Sequence, residues 1–205
     1  MTRPPLLLCS GSPRRAALLA AAGVPFERGP APDVDETPPP GVPAAAVAEA
    51  LARRKAAVAA ARAPQRTVLT ADTVVVLDDL ALSKPADPAD ARRMLAALSG
   101  REHLVVTGVA VARGPRVESG CDVARVRFRP LRDDEIAAYV ATGEPLDKAG
   151  AYALQGGAAA FVSRVDGRAD TVVGLPVPLA LALVADVERD AADDAAPPCP
   201  AAPAR

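Results

Sequence analysis

A chain of 205 residues that is 50% hydrophobic can bury one sizeable core, or two small lobes around a cleft. With 24 Lys and Arg against 25 Asp and Glu the formal net charge is -1, and only 2% of residues are aromatic, so neither a global basic field nor stacking platforms point to nucleic acid or to an anionic membrane. The opening MTRPPLLLCSGSPRR has an apolar run of only a few residues and no cleavage pattern, which fits neither a signal peptide nor a membrane span; a cytoplasmic location is expected.

In chain order, a strand over Leu6 to Cys9 comes first. Ser12 is placed as a helix N-cap with Pro13 at the first helical position, and Gly23 ends that helix. A short strand near Phe26 leads into the polar, proline-rich loop PAPDVDETPPPG, and a long helix is expected over about Pro43 to Arg62. The β-branched run TVLTADTVVVL follows as a strand. Asp87-Pro88 caps a helix that ends at Gly100. Two longer strands, HLVVTGVAVA and VARVRFRPL, are separated by the turn-forming Arg113-Gly114-Pro115. A helix from about Asp133 to Thr142 precedes LDKAGAYALQG, a strand near Phe161, the turn VDGR and a last helix near Pro178 to Glu188. The alternation of strands and helices predicts an α/β fold with a mixed sheet, as a single domain over residues 1–190. From Ala191 the segment AADDAAPPCPAAPAR lacks apolar periodicity and reads as a disordered Ala/Pro-rich tail over residues 191–205.

Several chemistries find no support. Cys9, Cys121 and Cys199 are widely spaced, without a CxxC pair or histidine companions, and read as reduced thiols. His103, the one histidine, has no identifiable orienting partner for nucleophilic or acid-base work. There is no GxxxxGK[ST] and no GxGxxG, so a phosphate site here would be neither a P-loop nor a dinucleotide fold.

The lysines are more informative. Among 24 basic residues only Lys55, Lys84 and Lys148 are lysines, and a chain that otherwise uses arginine keeps lysine where a compact, mobile ammonium is wanted. Lys148 adjoins Asp147, so it could equally belong to a structural turn. Carboxylates stand beside these cations: Asp33, Asp35 and Glu36 in a loop, and Asp72 inside an apolar strand, where it is costly to bury without partners. Two adjacent arginines, Arg14 and Arg15, open the first helix. Cations at a helix start and on loops, together with oxygen ligands suited to Mg²⁺ or Mn²⁺, describe a polyphosphate site.

The segments SGSPRRAALLAAAGVPFE, DVDE, LTADTVVVLDD, LSKP, LSGREHLVVTGVAV, FRPL, GEPLDKAGAYALQG and VVGLP, in that order, resemble the Maf family of nucleoside triphosphate pyrophosphatases over about Leu6 to Val187. The resemblance implies a mixed sheet with flanking helices and two lobes around a deep nucleotide-binding cleft. It also implies hydrolysis of a nucleoside triphosphate to the monophosphate and pyrophosphate with a divalent metal cation, Mg or Mn. Thr73 after the strand aspartate and Gln155 before the glycine resemble the branch of the family that acts on dTTP and UTP; the branch acting on 7-methyl-GTP differs at both places.

Carried over residue by residue, the resemblance makes Asp72 the proton acceptor and a metal ligand, with Glu36 as a second ligand. Arg14, Lys55 and Lys84 would hold phosphates, Arg15, Thr73 and Gln155 would determine the base, and Ser10, Ser12 and Lys148 would add substrate contacts. The paired arginines then have a reason, because one helix terminus supplies only roughly half a charge against a triphosphate, and guanidinium groups add charge and forked donors. The sequence departs from the family pattern at Asp79, where the hairpin commonly has glycine, at Ser83, a common glycine before Lys84, and at Thr171, where asparagine often precedes VVGLP. A nucleoside triphosphate is the expected partner, with no nucleic acid and no membrane; a homodimer is compatible with the sequence. A second class of function, a nucleotide-responsive binding protein acting in septum formation and cell division, stays open, although pure binding would not need a base beside the phosphates.

Overall fold

The computed structural model describes residues 4–193. Its centre is β3 (Val68–Leu77), an almost wholly buried strand of Val, Leu and Thr that meets neighbours of both directions. On one side β1 (Leu6–Cys9) runs parallel to it, and β2 (Phe26–Gly29) runs parallel to β1. On the other side β5 (Glu102–Arg113), β6 (Arg116–Phe128) and β7 (Val162–Asp166) follow in antiparallel succession. The order β2-β1-β3-β5-β6-β7, with β4 (Leu80–Leu82) paired to the end of β3, makes a seven-stranded mixed sheet, as the alternating pattern predicts.

Helices cover both faces. α2 (Ala44–Arg62) presents Val47, Ala48, Leu51, Ala52, Ala56, Ala59 and Ala60 to the sheet, a stripe at helical spacing made mostly of alanine. The small side chains let the helix approach closely: a Cβ on Gly108 of β5 would lie 2.3 Å from the Ala48 carbonyl carbon. On the opposite face α1 (Pro13–Ala21) and α6 (Val177–Asp193) enclose Leu6, Leu8, Leu69, Val109 and Val111. α3 (Pro88–Leu98) and α4 (Asp133–Ala141) cover a third cluster, built on Val75, Val105, Val126 and the aromatic side chains of Phe128, Tyr139, Tyr152 and Phe161.

Several boundaries differ from the sequence reading. Ser12 occupies the N-cap position of α1, yet its side chain caps nothing; its own N–H donates to Ser10 Oγ at 3.2 Å instead. Asp87 does cap α3, accepting from the Asp90 N–H at 2.8 Å. β6 begins at Arg116, well before VARVRF, because the polar RVESGCD pairs throughout with β5 and Gly120 leaves room for Leu179 of α6. Phe161 ends a 3₁₀ turn (Gly157–Phe161) rather than lying in a strand, which starts at Val162. The short α5 (Ala169–Val173) and β4 carry no periodic signal long enough to announce them. α6 runs on to Asp193, since alanine sustains helix without an apolar stripe; the rest of the Ala/Pro-rich tail lies outside the described residues.

The turn between β3 and β4 consists of Asp78 (φ 49°) and Asp79 (φ 62°), two consecutive left-handed residues of the kind a two-residue hairpin demands and Asn-Gly or Asp-Gly satisfies best. Asp78 is bound by Arg101, whose Nη2 donates at 2.6 and 2.7 Å; Asp79 carries the left-handed conformation without such a bond from another described residue. Asp79→Gly is therefore expected to raise stability to chemical denaturation by roughly 0.5–1 kcal/mol. An unchanged or lowered midpoint would show that the turn stores no strain.

His103 is 2% exposed, with Nε2 bonded to the Tyr152 hydroxyl at 2.8 Å and Nδ1 without a partner among the described residues, edge-on to Phe128 and Tyr152. Burial pushes its pKa down from 6.5 to about 4. The folded state thus resists a proton that the unfolded chain accepts, so stability is complete above pH 6.5 and declines as pH falls from there toward 4. Between pH 7 and pH 5 the loss from this group is about 2 kcal/mol, and His103→Gln, which cannot titrate, should flatten the denaturation free energy over that interval. An identical slope in the variant would remove His103 from the pH response.

Candidate functional site

The end of β1, the first turn of α1, the middle of β3, one stretch of α2 and the loops around residues 31–38, 83–84 and 147–155 enclose a cavity of about 730 Å³. It opens beyond the carboxyl end of β1, beside the strand where the sheet changes from parallel to antiparallel pairing. All three lysines of the chain line it.

Lys55 is the side chain around which the charges arrange themselves. It follows Ala48 and Ala52 on the buried stripe of α2, so the close approach at Gly108 carries its stem toward β3. Its Nζ lies 2.5 Å from Asp72 Oδ1 and 2.7 Å from Glu36 Oε1, with side-chain exposures of 12% for Lys55 and 14% for Asp72. Thr70 Oγ1, two residues before Asp72, donates to the Ala52 carbonyl at 2.8 Å and ties the two elements together. Glu36 comes from the proline-rich loop, which Arg54 of α2 holds through the carbonyls of Asp35 and Thr37. Its other oxygen meets Lys84 Nζ at 3.3 Å. The hydrogen bond from Lys55, then the charges of Lys55 and Lys84, hold the Glu36 carboxyl below the usual carboxylate range against the opposing effect of burial.

The two carboxylates that converge on Lys55 are hard oxygen donors, and Asp72 and Glu36 could together hold a divalent cation whose remaining ligands are phosphate oxygens and water. Among the described residues no group of three or more His, Cys, Asp or Glu side chains forms a complete metal cage. Asp33 and Asp35 do not line the cavity, and Asp35 accepts from the Thr37 N–H in a local turn at 2.8 Å.

Arg14 lines the cavity and makes no ion pair with another described residue, whereas Arg15 is fully engaged. Arg15 donates from Nε to the Gly174 carbonyl at 2.8 Å, from Nη1 to Ser10 Oγ at 3.2 Å and from Nη2 to Thr73 Oγ1 at 3.3 Å. Adjacent arginines on one helix thus have different tasks: one faces the open cavity and the other fastens α1 to β3 and to the turn after α5. Ser10 and Ser12 line the mouth at the start of α1, and Lys148 pairs with its neighbour Asp147 on the cavity wall. Gln155 also lines the cavity and is exposed.

Sequence reasoning missed Thr107. Its buried hydroxyl donates to the Thr171 carbonyl at 2.7 Å and lies 2.9 Å from Thr73 Oγ1, the residue opposite it across the β3–β5 ladder. A hydroxyl has one proton. Since Thr107 gives its proton to Thr171, Thr73 must give its own to Thr107, and Thr73 can only accept from Arg15 and from whatever enters the cavity. Thr171, a departure from the family pattern, also donates from Oγ1 to Asp122. The signal for Thr107 is a threonine in an otherwise aliphatic run, which becomes legible only with the strand register.

A profile of the family described as Maf-like protein matches residues 5–187. A protein of Geobacter metallireducens named dTTP/UTP pyrophosphatase is 52% identical over 174 residues, covering 84% of this chain and 90% of the relative. One of the same name from Geobacter sulfurreducens is 52% identical over 179 residues, 86% of this chain and 93% of the relative. A third, from Aromatoleum aromaticum, is 46% identical over 185 residues, 84% and 90% of the two lengths. The eight ordered sequence motifs, the mixed sheet and these matches agree: the chain belongs to the Maf family.

Proposed function

We propose that the chain hydrolyses dTTP and UTP between the α- and β-phosphates, releasing the monophosphate and pyrophosphate. The observation that carries this reading is the convergence of Lys55, Asp72, Glu36 and Lys84 in one cavity, since it puts a proton acceptor among cations able to hold a polyphosphate. Relatives covering most of the chain carry the corresponding name.

Asp72 takes the proton of the attacking water. The new bond forms between the water oxygen and the α-phosphorus, the bridging bond to the β-phosphate breaks, and pyrophosphate leaves with the electron pair. Lys55, Lys84 and Arg14 neutralise the phosphate oxygens as charge shifts toward the leaving group. A divalent ion, Mg²⁺ or Mn²⁺, held by Asp72 and Glu36 would add charge neutralisation and a more acidic water. Gln155 carries both a donor and an acceptor, and so complements the O4 and N3–H shared by uracil and thymine. Cytosine reverses both partners at those positions, and purines are expected to be excluded by size.

Incubating the purified chain with the common nucleoside triphosphates and Mg²⁺ or Mn²⁺ should give pyrophosphate from dTTP and UTP, little from CTP and none from purine nucleotides. Orthophosphate as the first product would place the attack at the γ-phosphate and overturn the reading. Asp72→Asn keeps the shape and removes the base, and is expected to lower kcat by about 10²- to 10⁴-fold. Near-normal turnover in that variant would strip Asp72 of its role.

The proton order through Thr107 gives a separate expectation. Thr107→Val removes the acceptor that orients the Thr73 hydroxyl, and kcat/KM for UTP should fall about tenfold, while Thr107→Ser, which retains the hydroxyl, stays near the parent. Equal losses in both variants would mean that packing, not the hydroxyl, matters there.

A further inference from the structure

The loop that carries Gln155 is held from behind by two side chains outside the site described above. Glu144 opens the 3₁₀ turn Glu144–Asp147 that follows α4. Its Oε2 accepts from the Gly157 N–H at 3.1 Å, and its Oε1 accepts from the Tyr139 hydroxyl at 3.0 Å. The Tyr139 oxygen accepts in turn from the Ala153 N–H at 3.3 Å. Between those two anchors the Gly156 N–H donates to the Ala153 carbonyl at 3.2 Å, closing the loop on itself. One carboxylate and one phenol therefore fix both ends of the segment from which Gln155 projects, while the Gln155 amide bonds to no other described residue.

The glycines after Gln155 bear on the same contact. Gly156 has φ -128° and ψ -155°, extended backbone open to any residue, so conformation does not reserve the position for glycine. The carboxylate does: a Cβ there would lie 1.8 Å from Glu144 Oε1 and 2.5 Å from its Cδ. A Cβ on Gly157 would lie 3.1 Å from Tyr139 Cδ2. The Gly-Gly pair is thus the complement of the Glu144–Tyr139 pair, pressed backbone to side chain. Burial, then hydrogen bonding to Glu144 and its charge, raise the Tyr139 phenol above its ordinary pKa, so Tyr139 remains the donor across the working range of pH.

We propose that Glu144 and Tyr139 are positioning residues for pyrimidine recognition, holding the backbone from which Gln155 reads the base. This rests on the reading that Gln155 contacts the base. A side chain that discriminates by hydrogen-bond pattern must be held within a few tenths of an ångström of its partner, and a free loop would let it reorganise around the wrong base.

The test compares kcat/KM for UTP and CTP in the full chain, its Gln155→Ala, Glu144→Ala, Glu144→Gln, Tyr139→Phe and Gly156→Ala variants, and the Glu144→Ala/Gln155→Ala double variant. Glu144→Ala is expected to lower the UTP:CTP ratio about tenfold, the coupling usual for residues linked through one backbone shift, and to lower it no further when Gln155 is already alanine. Glu144→Gln, which retains an acceptor oxygen, should keep the larger part of the ratio. Gly156→Ala leaves Glu144 in the sequence but must displace its carboxylate, and should reproduce the Glu144→Ala ratio; Tyr139→Phe should lower it too, and these two decide the matter if Glu144→Ala does not fold. A fall of UTP and CTP by the same factor, or a ratio loss that multiplies with that of Gln155→Ala, overturns the proposal while leaving base reading by Gln155 intact. A ratio unchanged in Gln155→Ala overturns base reading itself, and the positioning role with it.

Discussion

The arrangement of the site depends on one ammonium placed between two carboxylates. A lysine with 12% of its side chain exposed cannot be left unpaired, and neither can an aspartate in the middle of a sheet. Each supplies the other's counter-charge, and Glu36 completes the set from a loop that has little apolar surface of its own to anchor it. Removing one partner from such a group leaves an uncompensated charge, which typically costs about 3–5 kcal/mol, whereas replacing the whole group with hydrophobic side chains is often neutral. The cluster is therefore poor evidence of stabilisation and good evidence of chemistry. A fold that needed only a core at this point would place valine at residue 72, as it does at 74, 75 and 76.

The alanine surface of α2 follows from the same requirement. A helix bearing leucine along that stripe would ride higher on the sheet, and a lysine stem would no longer reach β3. Gly108 and the run Ala48, Ala52, Ala56, Ala59 and Ala60 bring the helix axis in, at some loss of hydrophobic area per residue. That area is recovered elsewhere, where His103, Tyr152, Phe128, Phe161 and Tyr139 pack edge to face in succession with ring centroids 4.9 to 6.0 Å apart. Four of the five aromatic residues lie in that cluster, which α3 and α4 cover.

Where a local signal existed, the sequence was readable. Asp87-Pro88, the β-branched run around Asp72 and the Arg113-Gly114-Pro115 turn each act within a few residues, and the elements they mark are where their chemistry puts them. The scarcity of lysine pointed to residues that share one cavity, because composition registers a demand for a particular head group. Long-range pairing was not readable. The polar first half of β6 is a strand because β5 lies beside it, and Thr107 meets Thr73 because the register sets the two opposite each other. Arg14 and Arg15 look equivalent in sequence; the bonds of Arg15 to Ser10, Thr73 and the Gly174 carbonyl, the last more than 150 residues away, separate them.

Those long-range contacts share a character. Arg15 joins α1 to β3 and to Gly174, Thr107 joins β3 to the carbonyl of Thr171, and Glu144 with Tyr139 joins α4 to the backbone around Gln155. Each uses side chains to fix a segment that makes no regular ladder with the sheet, and each fixed segment forms part of the cavity wall. A site built from loops alone would pay for ordering them whenever a ligand entered, and affinity would fall by that amount. Tying the loops down in the free protein moves that cost into folding, where the sheet and its helices can bear it. The polar residues behind the cavity wall are thus as much a part of its construction as those that line it.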